Sequence, residues 1–186
     1  MDLTIIIVSW NVKALLRRCL NSILAADGQA KDSPPPISDP QLCTEVMVVD
    51  NASGDGSADM VCAEFPEVHL IVNDDNRGFT AANNQGLSQG QGRYLLLLNP
   101  DTEVVGDALG TMVEYMNAHP EIGALGPQLR FPDGDLQSSR RRFPSFITGL
   151  VESTIVQEWS TDNRFLRRYY MADTPDDAIQ PVDLSL

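Results

Sequence analysis

Short runs of consecutive apolar residues, each followed by polar or turn-forming residues, are the feature that most constrains how this chain folds. Thr4–Ser9, Glu45–Asp50 and Tyr94–Leu98 are runs of this kind, and Val68–Val72 is another. Strands that are apolar on both faces are typical of a parallel sheet covered on both sides. Ile122–Leu125 is a candidate fifth strand. We therefore expect an α/β fold with a single mostly parallel sheet flanked by helices.

The segments between these runs have helical spacing. Leu16, Leu20 and Ile23 recur at intervals of three or four residues and predict an amphipathic helix. Further helices are predicted to end at Glu64 and to cover Thr80–Gln89 and Asp107–His119. After Arg130 the alternation fades. The remaining expectations are a loop over Asp27–Pro40, a helix over Phe146–Trp159 and the start of a strand at Val182–Leu186.

Composition excludes several classes of protein. The 186 residues suit one domain, and 42% of them are hydrophobic, which is enough for a core. Against 26 Asp and Glu there are only 13 Lys and Arg, and the resulting net charge of −13 would repel nucleic acid. The local clusters at Arg140–Arg142 and Arg164–Arg168 are expected to be solvated surface rather than an anion or lipid-headgroup site.

Cysteine usage and hydropathy indicate a reducing, aqueous environment. The three cysteines are odd in number and lack C-x-x-C spacing, so neither a disulfide framework nor a zinc site is expected. The apolar runs are much shorter than the about 20 residues that span a bilayer. The N-terminus has no basic start of a signal peptide. We expect a cytoplasmic domain.

Polar clusters follow four successive predicted strands. They are Ser9-Trp10-Asn11, Asp50-Asn51-Ala52-Ser53, Asn73–Gly78 and Asn99-Pro100-Asp101-Thr102. In open α/β sheets, ligands bind beyond the carboxyl ends of the strands. Each cluster alone would also serve as an ordinary turn, since Asn, Asp, Ser and Gly are turn formers. Four of them on one edge predict a ligand cleft.

The residue types in these clusters suit a nucleoside diphosphate. Trp10 can stack on a base, and Asp50 can accept hydrogen bonds from a base or ribose. Asp101 is the best candidate for a metal ligand, because a diphosphate brings Mg²⁺ or Mn²⁺, which prefer hard oxygen ligands. Each has a plainer alternative: packing for Trp10, and turn formation for the other two. No phosphate-loop, dinucleotide or hydrolase motif is present. A phosphatase-like motif over Leu95–Val104 would put Asn99 in place of the nucleophilic Asp, which argues against that reaction.

Four motifs in register resemble family 2 glycosyltransferases, in particular the rhamnosyltransferase-like branch that acts on bacterial polysaccharides. The motifs are Thr4–Asn11, Val48–Ser57, Asn76–Gly86 and Leu97–Thr102, and the likeness extends from Thr4 to Pro144. The resemblance implies a GT-A fold and a nucleotide-sugar site. It also suggests a nucleotide-sugar-binding domain at 1–130 and an incomplete acceptor region at 131–186.

The resemblance assigns roles to individual residues. Trp10 matches the aromatic residue that stacks on the base, Asp50 the acid that contacts base or ribose, and Asn51 replaces a second acid. Asn84 matches an Asn of the helix beside the nucleotide. Asn99-Pro100-Asp101 replaces the D-x-D motif, with Asp101 facing Mg²⁺ or Mn²⁺. The implied donor-binding set is Ser9, Trp10, Asn11, Asp50, Asn51, Asn76, Gly78, Asn84, Asn99 and Asp101.

The implied reaction moves a sugar from a nucleotide-diphosphate sugar to a saccharide or lipid-linked acceptor, with inversion. The family's general base, a carboxylate typically found in a Glu-Asp pair, has no match; Asp176-Asp177 is a poor candidate. The chain is therefore expected to stop before the acceptor-binding part, and an unpaired strand edge predicts self-association. The alternative is a catalytically incomplete domain that binds nucleotide sugar or a partner. A lipid-linked acceptor would bring the protein to the inner face of the membrane.

Overall fold

The computed structural model describes residues 1–26, 42–146, 148, 164–175 and 179–185. The chain divides into two compact units, Met1–Gly123 and Ala124–Leu186. The first unit alternates strand and helix, as the sequence predicts. Its elements are β1 (Leu3–Ser9), α1 (Lys13–Ala26), β2 (Thr44–Asp50), α2 (Ser57–Glu64), β3 (His69–Val72), α3 (Phe79–Leu87), β4 (Tyr94–Leu98) and α4 (Ala108–Ala118).

Strands β1 to β4 form one sheet in the order β3-β2-β1-β4, and every pairing is parallel. The register places Ser9 opposite Asp50, and Asp50 opposite Val72. All four strands therefore end at the same side of the sheet, which we call the carboxyl edge. The predicted parallel α/β sheet is confirmed.

The two faces of β1 pack against different helices. Ile5 and Ile7 are fully buried in a core cluster that includes Leu16 and Leu20 of α1. Ile6 lies on the other face, where a Cβ added to Gly86 of α3 would come within 2.4 Å of its Cγ2 atom. Only a glycine allows α3 to lie this close to β1. The contact fixes the helix that begins at the carboxyl edge.

In its described residues, the second unit contains three short strands and one short helix that the sequence does not predict. Strand β5 (Leu129–Arg130) pairs with β6 (Leu136–Gln137), β7 (Arg140–Arg141) pairs with β8 (Leu184–Ser185), and α5 covers Arg164–Tyr169. Both pairings are antiparallel. The strand expected at Val182–Leu186 is therefore present as β8, whereas the strand expected at Ile122–Leu125 is wrong, because no strand covers those residues.

Arg140 and Arg141 of β7, and Arg142 after them, were expected to be solvated surface. The structure corrects this expectation, because all three are half-buried. The Arg141 guanidinium lies 4.4 Å from the ring centroid of Tyr170. Arg142 donates to the Arg168 carbonyl at 3.1 Å and pairs with Asp173 at 3.0 Å. These side chains thus hold the second unit together.

Several predictions fall outside the described residues. The loop over Asp27–Pro40 lies there entirely, as does Asp176-Asp177. The helix over Phe146–Trp159 lies there apart from residues 146 and 148. Within the described part of the chain, no helix combines the length and the apolar character needed to cross a bilayer.

Candidate functional site at the carboxyl edge of the sheet

The carboxyl edge carries the four polar clusters that the sequence singles out. Asn73 follows β3, Asn51 follows β2, Trp10 follows β1 and Asn99 follows β4. The strand order places these clusters side by side in that sequence across the sheet. The fold therefore gathers the candidate residues of the first unit on one edge, with β1 and β2 at its centre.

Two buried oxygen atoms at the centre of this edge lack a partner among the described residues. Ser9 is 0% and Asp50 1% exposed, and they face each other across β1 and β2. Asp50 Oδ2 accepts the Ser53 N–H at 2.9 Å, but Asp50 Oδ1 and Ser9 Oγ make no hydrogen bond. Unpaired buried polar groups are rare and cost free energy. A polar group of a ligand that reached this point would satisfy them.

The loops after β1 and β2 are joined above these oxygen atoms. The Asn11 N–H donates to Ser53 Oγ at 2.9 Å, and the Gly54 N–H donates to Asn11 Oδ1 at 2.7 Å. Asn11 has φ 55° and Ala52 has φ 62°. Such backbone is uncommon for residues other than glycine, and it costs free energy that the surrounding contacts must offset. Asn11 thus links the loops after β1 and β2 by hydrogen bonds.

Trp10 directly precedes Asn11 and is 55% exposed. A ring that only filled the core would be buried, so packing does not account for its position. Stacking of the Trp10 indole on a planar group stays a prediction from the sequence.

Asn51 is the centre of an amide network, which we define as Asn51, Asn73, Asn76 and Gln85. Its Oδ1 accepts from Asn73 Nδ2 at 3.1 Å and from the Arg77 N–H at 3.1 Å. Its Nδ2 donates to Asn76 Oδ1 at 2.8 Å. An amide offers two acceptor sites and two donors, so Asn51 keeps one N–H for any ligand.

The network extends from β3 into α3. Asn73 and Gln85 donate to each other, each bond being 2.8 Å long. Asn73 is 6% exposed, so these amide groups have little access to water and depend on each other. The network therefore fixes the loop between β3 and α3 relative to β2.

Gly78 directly precedes α3 and has a backbone conformation that only glycine adopts readily. Its φ is 78° and its ψ is 163°. Its N–H donates to Asn76 Oδ1 at 2.9 Å, the atom that also accepts from Asn51. Gly78 and Asn76 therefore have a structural reason to stand where the sequence predicts donor-binding residues.

Asn84 differs from its neighbour on α3. Asn83 is buried and donates to the Phe79 carbonyl at 2.9 Å. Asn84 is exposed, and its side chain makes no hydrogen bond to a described residue. The donor-binding role that the resemblance implies for Asn84 stays a prediction.

Asp101 lies in a turn closed by its neighbours. The Asn99 carbonyl accepts the Thr102 N–H at 3.2 Å and the Thr102 hydroxyl at 2.7 Å. Pro100 supplies the second position of this turn, where its fixed φ is favourable. The turn expected from Asn99-Pro100-Asp101 is confirmed, and it presents Asp101 to solvent.

The side chains of the Asn99–Thr102 turn fit a hard divalent cation only together with other ligands. Asp101 and Asn99 are both exposed, and the Asp101 carboxylate makes no hydrogen bond to a described residue. Over the described ranges, no group of three His, Cys, Asp or Glu side chains forms a metal cluster. Mg²⁺ is commonly held by one or two carboxylates with substrate phosphates and water. The oxygen ligands present here match that pattern.

A model of the family described as Glycosyl transferase family 2 matches residues 4–177, nearly the whole chain. The chain belongs to glycosyl transferase family 2. The rhamnosyltransferase-like resemblance is supported by a curated member of the family, N-acetylglucosaminyl-diphospho-decaprenol L-rhamnosyltransferase of Mycobacterium tuberculosis. It is 28% identical over 125 residues, which are 61% of this chain and 41% of that protein. The chain spans less than half of that relative's length.

Solved structures of glycosyltransferases share the fold. The mannosyltransferase PcManGT of Pyrobaculum calidifontis, in complex with GDP-Man and Mn²⁺, is 25% identical with a TM-score of 0.55. The match covers 71% of this chain and 36% of that one. S. aureus TarS 1-349 in complex with UDP-GlcNAc is 22% identical with a TM-score of 0.53, covering 71% and 38%. The fold of this family 2 chain is of the GT-A type.

One residue that positions this edge in the family 2 chain was missed by sequence reasoning. Asp55 accepts the backbone N–H of Lys13 at 2.8 Å and of Ser57 at 3.0 Å, and thereby links α1 to α2. The Ser57 hydroxyl, followed by these backbone groups, lowers the pKa of Asp55 below its ordinary 3.8. An Asp two residues before a helix-starting Ser is a local turn signal that could have identified it.

Proposed function

We propose that this chain binds a nucleotide-diphosphate sugar at the carboxyl edge and supports its transfer, with inversion, to a saccharide or lipid-linked acceptor. The observation that carries the proposal is the combination, on one edge, of an exposed Trp10, an exposed Asp101 and two buried oxygen atoms that have no hydrogen-bond partner among the described residues. A base, a diphosphate and a polar sugar or ribose group are the ligand parts that these features suit.

In the proposed complex Trp10 stacks on the base, and Asp50 and Ser9 meet polar groups of the base or ribose. Because Asp50 is 1% exposed, binding must shift the loops joined by Asn11 and Ser53. Asn84 and the remaining N–H of Asn51 lie at the α3 side of the donor. Gly78 and Asn76 shape the loop between β3 and α3.

Asp101 and Asn99 are the residues that would hold Mg²⁺ or Mn²⁺ against the diphosphate. When bound, such an ion neutralises the charge that develops on the departing nucleoside diphosphate. The titration of the purified chain with UDP, GDP and dTDP, each with and without Mn²⁺, tests this proposal. Metal-enhanced binding of one nucleotide is expected; absence of binding for all of them would contradict it.

A second candidate is a domain that binds nucleotide sugar without turning it over. It is the alternative that the sequence leaves open. Release of the nucleoside diphosphate from the sugar donor, measured with and without acceptor, separates the two. Turnover, including slow hydrolysis, would exclude the second candidate.

We further propose that the chain works in the cytoplasm, at the inner face of the membrane when the acceptor is lipid-linked. Self-association remains a prediction from the sequence. Sedimentation velocity over a range of concentrations would test it, and a single monomeric species throughout would contradict it.

A further inference from the structure

The Asn99–Thr102 turn and Val104, two residues after it, are attached to one side of α1. Cys19 Sγ donates to the Asn99 carbonyl at 3.8 Å. The Val104 N–H donates to Ser22 Oγ at 2.9 Å. Residues three apart on a helix lie on the same side, so α1 contacts the chain both before and after Asp101.

The Ser22 hydroxyl can serve only as an acceptor for Val104. A hydroxyl has one proton. In Ser22 that proton is directed to the Cys19 carbonyl at 2.7 Å. The oxygen therefore presents its lone pairs to the Val104 N–H, and the Val104 side chain packs against the core cluster. Both the backbone and the side chain of Val104 are thus fixed.

Compared with the other polar contacts between α1 and this segment, the Ser22 bond is short and partly buried. The Cys19 thiol is a weak donor, and its Sγ atom lies 3.8 Å from the Asn99 oxygen. Arg18 and Glu103 approach to 3.5 Å, but both are more than half exposed, and such pairs contribute little. The partly buried bond from Val104 to Ser22 has no such weakness.

We propose that Ser22 is a positioning residue for Asp101. The proposal rests on the proposed function, because it assigns to Ser22 the placement of the carboxylate that faces the cation and diphosphate. Coordinating groups must be held within about 0.5 Å of their productive position. Without the Ser22 oxygen the Val104 N–H loses its acceptor, and the turn that ends two residues earlier can move by more than that.

The test compares Ser22→Ala with Ser88→Ala. Ser88 is the matched control, because its hydroxyl also donates to a carbonyl three residues back, that of Gln85 at 2.8 Å, but directly follows α3. The measured quantity is the ratio of nucleotide Kd without Mn²⁺ to Kd with Mn²⁺. We expect Ser22→Ala to lower that ratio about five- to tenfold, the size of one lost hydrogen bond, with the metal-free Kd unchanged. Ser88→Ala and Ser22→Thr should keep the wild-type ratio.

A second readout is independent of any ligand. In Ser22→Ala the Val104 amide should exchange its hydrogen faster, and the NMR shift of the Asp101 amide should move, with α3 unchanged. An unchanged ratio, or an unperturbed turn, would overturn the proposal. Should Ser22→Ala not fold, Ser22→Cys decides, because a thiol of similar size is a weak acceptor and must lower the ratio by a smaller factor.

The outcomes separate the two proposals. If the wild type shows no Mn²⁺-dependent gain, or Asp101→Ala retains it, the proposed role of Asp101 fails, and the exchange and shift data alone decide whether Ser22 places the turn. If both behave as expected and Ser22→Ala keeps the gain, the positioning proposal fails and the proposed function stands.

Discussion

The two sides of the carboxyl edge use the same residue types in opposite ways. Beside β2 and β3, the amide groups of Asn51, Asn73 and Asn76 bond to one another and are largely satisfied within the protein. Beside β4, the side chains of Asn99 and Asp101 are exposed, in a turn held by hydrogen bonds to the Asn99 carbonyl. The first side is built in advance of any ligand, whereas the second leaves its side chains available.

This difference shows that residue type at a motif position does not determine its role. What counts is the hydrogen-bonding capacity that the fold leaves over. On the β2 and β3 side, substitutions should act first on stability. On the β4 side, they should act on ligand binding and leave stability nearly unchanged.

The sharpest test of the comparison is Asp101→Ala. We expect it to abolish the Mn²⁺-dependent gain in nucleotide affinity, because it removes the only carboxylate of the Asn99–Thr102 turn, and to change the free energy of unfolding by less than about 0.5 kcal/mol. Calorimetric titration and urea unfolding measure the two quantities. Asp74→Ala is the control, an exposed acid after β3. A gain that survives in Asp101→Ala would remove the metal role.

Asn51→Asp should break the satisfied side. A carboxylate cannot donate to Asn76 Oδ1, and Asn76 cannot turn its amide without losing the Gly78 N–H. We expect the free energy of unfolding to fall by about 3 kcal/mol, as for a buried charged group with a lost partner. Asn84 is exposed, so Asn84→Asp should change the free energy of unfolding by less than about 0.5 kcal/mol. Equal unfolding free energies for both variants would contradict the comparison.

Trp10→Ala tests the binding surface between the two sides. Loss of stacking should weaken nucleotide binding by roughly 1–3 kcal/mol, by analogy with other base–aromatic contacts. Trp10→Phe should retain most of the affinity. Phe143→Ala, which removes a 70% exposed ring of the second unit, is the control. Unchanged affinity in Trp10→Ala would leave Trp10 without a role in donor binding.

The smallest effect is expected for Asp55→Asn, on the scaffold shared by both sides. Because the Ser57 hydroxyl lowers the pKa of Asp55 in the folded state, its stabilisation is present above the ordinary pKa of 3.8 and is lost as pH falls through the lower folded value. The variant should therefore be less stable than the wild type near neutral pH. Urea unfolding at several pH values should show this difference shrinking below about pH 4. A difference independent of pH would exclude the carboxylate as its cause.

The sequence predicted the four-stranded sheet and the four helices of the first unit well. The apolar runs placed β1, β2 and β4 to within a residue. Strands β1 and β2 are buried on both faces, as such runs predict, whereas Leu95 and Leu97 of β4 are exposed. The strand expected at Ile122–Leu125 failed because a short apolar segment does not by itself specify a pairing partner.

The sequence predicted which residues lie at the carboxyl edge, but not how they hydrogen-bond to one another. Sheet order alone brings Asn51, Asn76 and Asn99 to one edge. That Asn51 is nearly saturated depends on residues more than twenty positions away, which no local pattern reveals. Ser22 was missed for the same reason, since its partner is 82 positions distant, whereas Asp55 has a local turn signal in its bond to Ser57.

Helix α1 is held at two points by opposite sides of the edge. Asp55, from the loop after β2, accepts the N–H of Lys13 at its first residue. Ser22, more than two turns further along, accepts the N–H of Val104 beyond β4. A rigid rod with two attachment points transmits an axial displacement at one to the other. In the proposed complex, α1 would therefore offer a route by which base recognition and cation affinity are thermodynamically coupled.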